Sequence, residues 1–283
     1  MASIICMPDL AYTIVLSIAG SDSAGGAGIQ GDIKTISALG CFATTAITAV
    51  TVQNTLAVSG IHEVPPELVS AQIESVMTDM KPLAVKIGMI YSAALAQAIT
   101  DSIRKFKEIP VVLDPVMVAS SGQSLTTPET IEVIKRKLLP LIYLVTPNLS
   151  EASILAEMTV ETVDEMEQAA RKILAYGSFA VLIKGGHLKG NDLYDVYLDR
   201  NGVMEVFHSE HIQTNNTHGT GCCLSAAIAS YLALGYTLTT AISEAKLFLH
   251  QSLIYGKDVK TGKGKGPLNH FFRPNDLKKS PVE

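Results

Sequence analysis

"TIVLSIAGSDSAGGAGIQGDIKTISALG", residues 13–40, decides the fold. It opens on a short apolar run, 13–20, which has the length and composition of a buried strand. A glycine-rich loop follows. "GIQGDIKTISALG" then carries apolar residues at helical spacing, with Gly40 as the stop signal. Strand, glycine turn and helix in that order form the opening unit of a parallel α/β sheet.

The alternation continues outward from this unit. "TTAITAVTVQ" (44–53), "LAVKIGMI" (83–90), "PVVLDPVM" (110–117), "YLVTPN" (143–148) and "FAVLIKGG" (179–186) are strand-like. Between them lie helical patterns. "PPELVSAQIESVMTDM" (65–80) starts on prolines, whose missing N–H costs nothing at a helix start. "SAALAQAITDSIRKF" (92–106), "TPETIEVIKRKLLPLI" (127–142) and helices near 149–158 and 162–176 follow. Continuous apolar strands separated by helices indicate a parallel sheet covered on both faces. The pattern breaks once, where "DLYDVYLDRNGVMEVFHSEHI" (192–212) alternates on both sides of Asn201-Gly202, a strong hairpin signal. Two long helices, near 221–234 and 237–255, close the chain. No linker, repeat or composition shift marks a second domain, so one α/β domain over 1–283 is expected, with its core at about 12–273.

Composition narrows the function. The chain has 283 residues, 47% hydrophobic and 17% charged, with a net charge of -5. That balance supplies a large core and no basic face for nucleic acid. The N-terminus lacks a basic stretch before its apolar residues, and Asp9 interrupts it, so no signal peptide is expected. The longest uncharged apolar run, Cys222–Leu234, is too short to span a bilayer. Cys6, Cys41, Cys222 and Cys223 form no CxxC pair and no metal-ligand spacing with His, which fits a reduced, cytoplasmic setting.

The chemistry gathers at strand ends. Gly26-x-Gly28-x-x-Gly31 superficially matches a dinucleotide fingerprint, but the second strand ends in Thr51, Val52, Gln53 and Asn54 without the acid that a ribose needs. No Walker loop is present. The glycines still let backbone approach a small molecule closely. Gln53 offers a donor beside an acceptor, which suits the edge of an aminopyrimidine; the alternative is that it caps a loop. Asp114 in "LDPVM" and Glu151 in "TPNLSEA" follow buried strands at the ligand edge, where one or two carboxylates can share Mg²⁺ with phosphates. Each could instead serve its own turn or helix start. Lys184 in "LIKGGH" places a cation within reach of phosphate. In "THGTGCC", Gly219, Thr220 and Gly221 precede a helix of small residues, whose free N–H groups attract anions.

Taken together, these segments resemble the ribokinase-type kinases, and within them the hydroxymethylpyrimidine/phosphomethylpyrimidine kinases of thiamine biosynthesis. The resemblance runs from "IAGSDSAGGAGIQGD" through "ITAVTVQNT", "VKIGM", "LDPVM", "TPNLSEA", "IKGGH" and "HGTGC" to "GPLNHF". It implies a three-layer sandwich with a mostly parallel central sheet and a late antiparallel hairpin. It implies ATP- and Mg²⁺-dependent phosphoryl transfer, first to the hydroxymethyl group of the pyrimidine and then to its monophosphate. A pyridoxal or pyridoxine kinase of the same fold is the alternative. By motif, Gln53 would read the pyrimidine, with Ala27, Asp32, Met89 and Val116 around it. Asp114 and Glu151 would hold magnesium. Lys184, Asn148 and Thr217 would meet the nucleotide, and Gly219, Thr220, Gly221 and Cys222 would form the anion hole and base. Cys222 stands where the wider superfamily has aspartate, and a thiol at a helix N-terminus is expected to acidify. The resemblance also implies a homodimer.

Overall fold

The computed structural model describes residues 10–118, 125–186 and 192–281. Cys6 and His187, the last residue of "LIKGGH", lie outside them. In chain order the elements are β1 (Leu10–Tyr12), β2 (Ile14–Asp22), α1 (Gly28–Ala38), β3 (Phe42–Gln53), β4 (Val58–Glu63), α2 (Pro66–Asp79), β5 (Ala84–Ile87), α3 (Ala93–Ile103), β6 (Val111–Leu113) and α4 (Pro128–Val133). Then come β7 (Leu144–Val145), α5 (Leu149–Ala156), α6 (Val163–Leu174), β8 (Ala180–Ile183), β9 (Asp192–Asp199), β10 (Met204–Glu210), α7 (Thr220–Ala233), α8 (Leu238–Gly256) and β11 (Lys279–Pro281).

One sheet of nine strands runs in the order β10-β9-β8-β7-β6-β5-β2-β3-β4. The six inner strands from β8 to β3 are mutually parallel. The expected hairpin is present, β10 antiparallel to β9, turning at Asn201-Gly202 with Gly202 at φ +83°. The other edge departs from the sequence reading. β4 folds back antiparallel on β3 immediately after Gln53, so the alternation breaks twice. The single helix expected over 127–142 also differs. α4 stops at Val133, and the chain continues as a π turn (Ile134–Leu138) and a 3-10 turn (Leu139–Leu141). Pro140 cannot donate the next helical hydrogen bond.

The inner strands bury both faces, as their unbroken apolar runs require. Leu16 and Ile18 of β2, Val85 and Ile87 of β5, and Val111 and Leu113 of β6 face a core closed by α2, α3, α5 and α6. Their neighbours Val15, Ala84 and Val112 face the opposite core, closed by α1, α7 and α8. α5 and α6 each begin with a capping box, Asn148 with Glu151 and Thr162 with Glu165. Of the acids at the start of α6, Glu165 thus has a capping role. α7 is buried nearly all round, and its Ala226, Ala227 and Ala229 let it lie close to the sheet.

The chain's two ends meet. β1 pairs antiparallel with β11, and Tyr12 stacks on Phe42 with centroids 5.7 Å apart. The tail is laid across the α1–β3 turn, with Asn275 N–H donating to Ala38 O and Lys278 N–H to Gly40 O, each at 2.8 Å.

The chain steps from β2 to β3 on one side and then to β5 on the other. This reversal opens a crevice at the C-terminal ends of β2 and β5, where open α/β sheets take ligands. The close packing of α7 gives a direct test. Ala227→Leu should cost about 1–3 kcal/mol through overpacking, seen as a lower urea midpoint at unchanged slope.

Candidate active site

A cleft of about 380 Å³ occupies that crevice. Its walls come from the ends of β2, β3, β5 and β6 and from the start of α7.

The first wall is built on Asp22. Its carboxylate accepts from the N–H groups of Ala24 (2.8 Å), Gly26 (3.0 Å) and Ala27 (2.8 Å), folding "SDSAGGAG" around itself. His218 Nε2 donates to the same carboxylate at 2.8 Å. Burial pushes Asp22 up, but His218 and the Ala27 and Ala24 amides outweigh it and hold Asp22 below the usual carboxylate range. The two glycine loops interlock. Gly219 has φ +88°, and a Cβ there would collide with the Gly26 carbonyl. Gln53 is tied in through Ser23, which donates to its carbonyl and accepts from its N–H, both at 2.8 Å. Its side-chain amide reaches into the cleft beside Ala27, Met89 and Val116.

Asp32 is a correction. It does not line the cleft but is fully buried beneath it. It holds Lys86 Nζ at 2.7 and 3.0 Å and accepts from Ser17 Oγ at 2.6 Å. A carboxylate on the inward face of α1 needs a cation there, and Lys86, in the middle of β5, supplies it. Lys86, not Asp32, reaches the cleft wall.

The second wall carries the remaining charges. Lys184 Nζ lies 2.7 Å from Asp114 Oδ1, and Thr146 Oγ1 lies 3.4 Å from the same oxygen. Glu151 accepts from Asn148 N–H at 2.8 Å, while its own N–H donates to Asn148 Oδ1 at 2.9 Å. Glu151 therefore serves its helix start and lines the cleft as well. Burial pushes it up to about 7; Lys184 pulls it back, and Asp114 pushes it further up. Behind this wall, Asp195 accepts from Gly185 N–H at 2.9 Å and is ion-paired with Lys246, which fixes the chain just after Lys184. At the start of α7, a Cβ on Gly221 would lie 3.3 Å from both Asp114 Oδ2 and Lys184 Nζ. The small residue lets the helix start abut the ion pair. Thr217, Gly219, Thr220, Gly221 and Cys222 all line the cleft.

Cys222 behaves differently from the sequence expectation. Burial pushes its thiol up to about 11; Lys86 lowers it, and Asp32 and Asp114 raise it. The nearby carboxylates and desolvation defeat the helix N-terminus. Cys223 is fully buried and faces away from the cleft into the core. Among the described residues no group of three or more His, Cys, Asp or Glu side chains forms a metal cluster, and no helix is long and apolar enough to cross a membrane.

Sequence reasoning passed over Asp22, Lys86 and His218. Lys86 left a signal, since a lysine inside "LAVKIGMI" must find a buried partner. Asp22 left one too, since Asp before a glycine run favours a side-chain-closed turn. The contact between Asp22 and His218 joins residues 196 apart and left none.

A mostly parallel sheet with this cleft at its strand ends has the ligand-binding arrangement of open α/β folds. The chain belongs to the phosphomethylpyrimidine kinase family, whose model matches residues 22–269. It is 46% identical over 261 residues to a hydroxymethylpyrimidine/phosphomethylpyrimidine kinase of Rhizobium meliloti, covering 92% of this chain and 97% of that one. The crystal structure of a phosphomethylpyrimidine kinase from Clostridium difficile superposes with TM-score 0.76 at 40% identity, covering 85% of this chain and 99% of that one. An ADP complex of a Bacillus subtilis pyridoxal kinase superposes with TM-score 0.84 at 35% identity, covering 92% and 98%. The chain is therefore a phosphotransferase, as the resemblance implied.

Two outcomes test the charges. Lys86→Met strands Asp32 and should cost about 3–5 kcal/mol, whereas Lys86→Met with Asp32→Leu should recover most of that in chemical denaturation. Glu151 binds its proton more tightly in the folded chain, so stability should fall as pH rises from 4.5 to about 7. Glu151→Gln keeps the cap and should gain on the parent across that window, with the difference constant above it.

Proposed function

We propose that this chain phosphorylates 4-amino-5-hydroxymethyl-2-methylpyrimidine and then its monophosphate, using ATP. The observation that carries the reading is that one cleft holds both sets of groups. Gln53, whose amide nitrogen lies 3.4 Å from His218 Nε2, lines it together with the Gly219–Cys222 helix start, Lys184 and Asp114. In this reading Gln53 pairs with the aminopyrimidine edge, while Ala27, Met89 and Val116 enclose the ring. The N–H groups at the start of α7 and the Lys184 ammonium receive the moving phosphoryl group. Such transfer is mostly positioning and charge stabilisation. Asn148 and Thr217 lie along the nucleotide side.

Asp114 and Glu151 fit a magnesium ion. Two carboxylates share that wall with one lysine, and Glu151 is raised by burial and by Asp114 despite that lysine. Mg²⁺ held there would neutralise phosphate charge. Asp114→Asn should raise the magnesium requirement or abolish turnover in a folded protein. The same reading takes 1–283 as one kinase domain, with its core at about 12–273, in a cytoplasmic homodimer, and sedimentation equilibrium checks the dimer.

The acceptor's proton goes to the Cys222 thiolate. With the thiol raised to about 11, turnover should climb steadily with pH through the neutral range. Cys222→Ala should lower turnover about 10²–10⁴-fold and lose that climb, and Cys222→Asp should retain more activity. Cys223→Ala should be nearly silent. A pH-independent parent rate would remove Cys222 from the proton path.

A coupled ADP-release assay over hydroxymethylpyrimidine, its monophosphate and pyridoxal tests the whole reading. Turnover should favour the pyrimidines. Turnover with pyridoxal alone would transfer the assignment to the pyridoxal kinases, whose fold this chain shares closely.

A further inference from the structure

The residue after next from Gln53 is held by a distant part of the chain. Thr55 Oγ1 accepts from the N–H groups of Lys263 and Gly264, both at 3.1 Å. Thr55 O accepts from Lys265 N–H at 3.0 Å. These contacts lay the loop after α8, residues 257–266, against the β3–β4 turn. Two glycines make the fit. A Cβ on Gly262, which has φ +76°, would strike Thr55 Oγ1, and one on Gly264 would strike Thr55 O. The turn itself is closed by Asn54, whose Oδ1 accepts from Leu56 and Ala57 N–H at 2.8 and 3.1 Å. Without the loop nothing else among the described contacts ties Thr55 down.

The other end of the loop is anchored separately. Asn216 Nδ2 donates to Gly256 O at 2.7 Å and to Val259 O at 2.6 Å. Asn216 immediately precedes Thr217, His218 and Gly219. The loop therefore spans from the anion-binding helix start to the turn behind Gln53. It presents Gly264 and Lys265 to the cleft, where Thr55, Leu56 and Ala57 also line the wall. Lys86 and Lys184 each hold a buried carboxylate. Lys265 has no carboxylate partner among the described residues and is exposed.

We propose that Thr55 is a positioning residue for the acceptor: it latches the 262–265 loop onto the turn behind Gln53 and so completes the acceptor end of the cleft. The inference rests on the pyrimidine reading only for the identity of the acceptor. Three hydrogen bonds to one exposed-edge residue are a latch that can open, because each freed N–H finds water. Opening moves the wall beside Gln53 and leaves the Asp114–Lys184 wall, on the far side of the sheet's reversal, in place.

Thr55→Val removes the hydroxyl acceptor at constant shape, and Thr55→Ser restores it. In Thr55→Val the KM for hydroxymethylpyrimidine should rise about tenfold for two lost hydrogen bonds, with the KM for ATP unchanged. Trypsin should cut faster after Lys263 and Lys265 at an unchanged Tm. Thr55→Ser should return both readouts to the parent's. Parent-like acceptor KM and cleavage rate in Thr55→Val would overturn the latch, as would equal rises in both KM values. If the parent turns over no pyrimidine, the acceptor assignment fails, and the cleavage rates of the three proteins still decide whether the latch exists.

Discussion

The contact of one glycine loop with another, backbone against backbone, is the constraint on which the cleft depends. Gly219 lies on the Gly26 carbonyl at a distance that no side chain survives, and Asp22 binds both loops at once. Asp22 gathers three amides from its own loop and one imidazole from the other. Hydrogen bonds to a charged group are each worth about 1.5–3 kcal/mol; three of these fold the first loop, and the one from His218 ties the second loop to it. Moving the loops apart would separate the ends of β2 and β3 from the start of α7.

Charge is arranged around this contact in two tiers. The Asp32–Lys86 pair has no solvent exposure, Ser17 adds a hydrogen bond to Asp32, and only the lysine borders the cleft. The Asp114–Lys184 pair is partly open and borders the cleft. Glu151 belongs to the second tier without a cation of its own, which is why burial and Asp114 can raise it. The difference between the tiers is access. A buried pair must be satisfied at folding, while a cleft pair can trade partners with an incoming ligand.

The sequence made the architecture plain where physics acts locally. Apolar runs bounded by glycine and proline marked the inner strands, and Asn201-Gly202 marked the hairpin. It failed where the deciding contact is distant or the pattern weak. "VSGIHE" carries serine, glycine and a charged end, so β4 had no apolar alternation to announce it. Asp32 was placed at the cleft by motif, through the family resemblance. Its position on the inward face of α1 was fixed by Lys86, fifty-four residues on. The acidity of Cys222 was read from its helix start alone, and the two carboxylates that act on it, Asp32 and Asp114, come from α1 and from the end of β6.

The pairing of β1 with β11 sits at the pole of the molecule opposite the cleft. The strands begin there, and the tail crosses the α1–β3 corner at that end. Leu10 and Pro281, the outermost described residues, therefore lie side by side at the end of the molecule away from the mouth. A tag, a linker or a second protein attached beyond either of them would start from that end, not from beside the cleft.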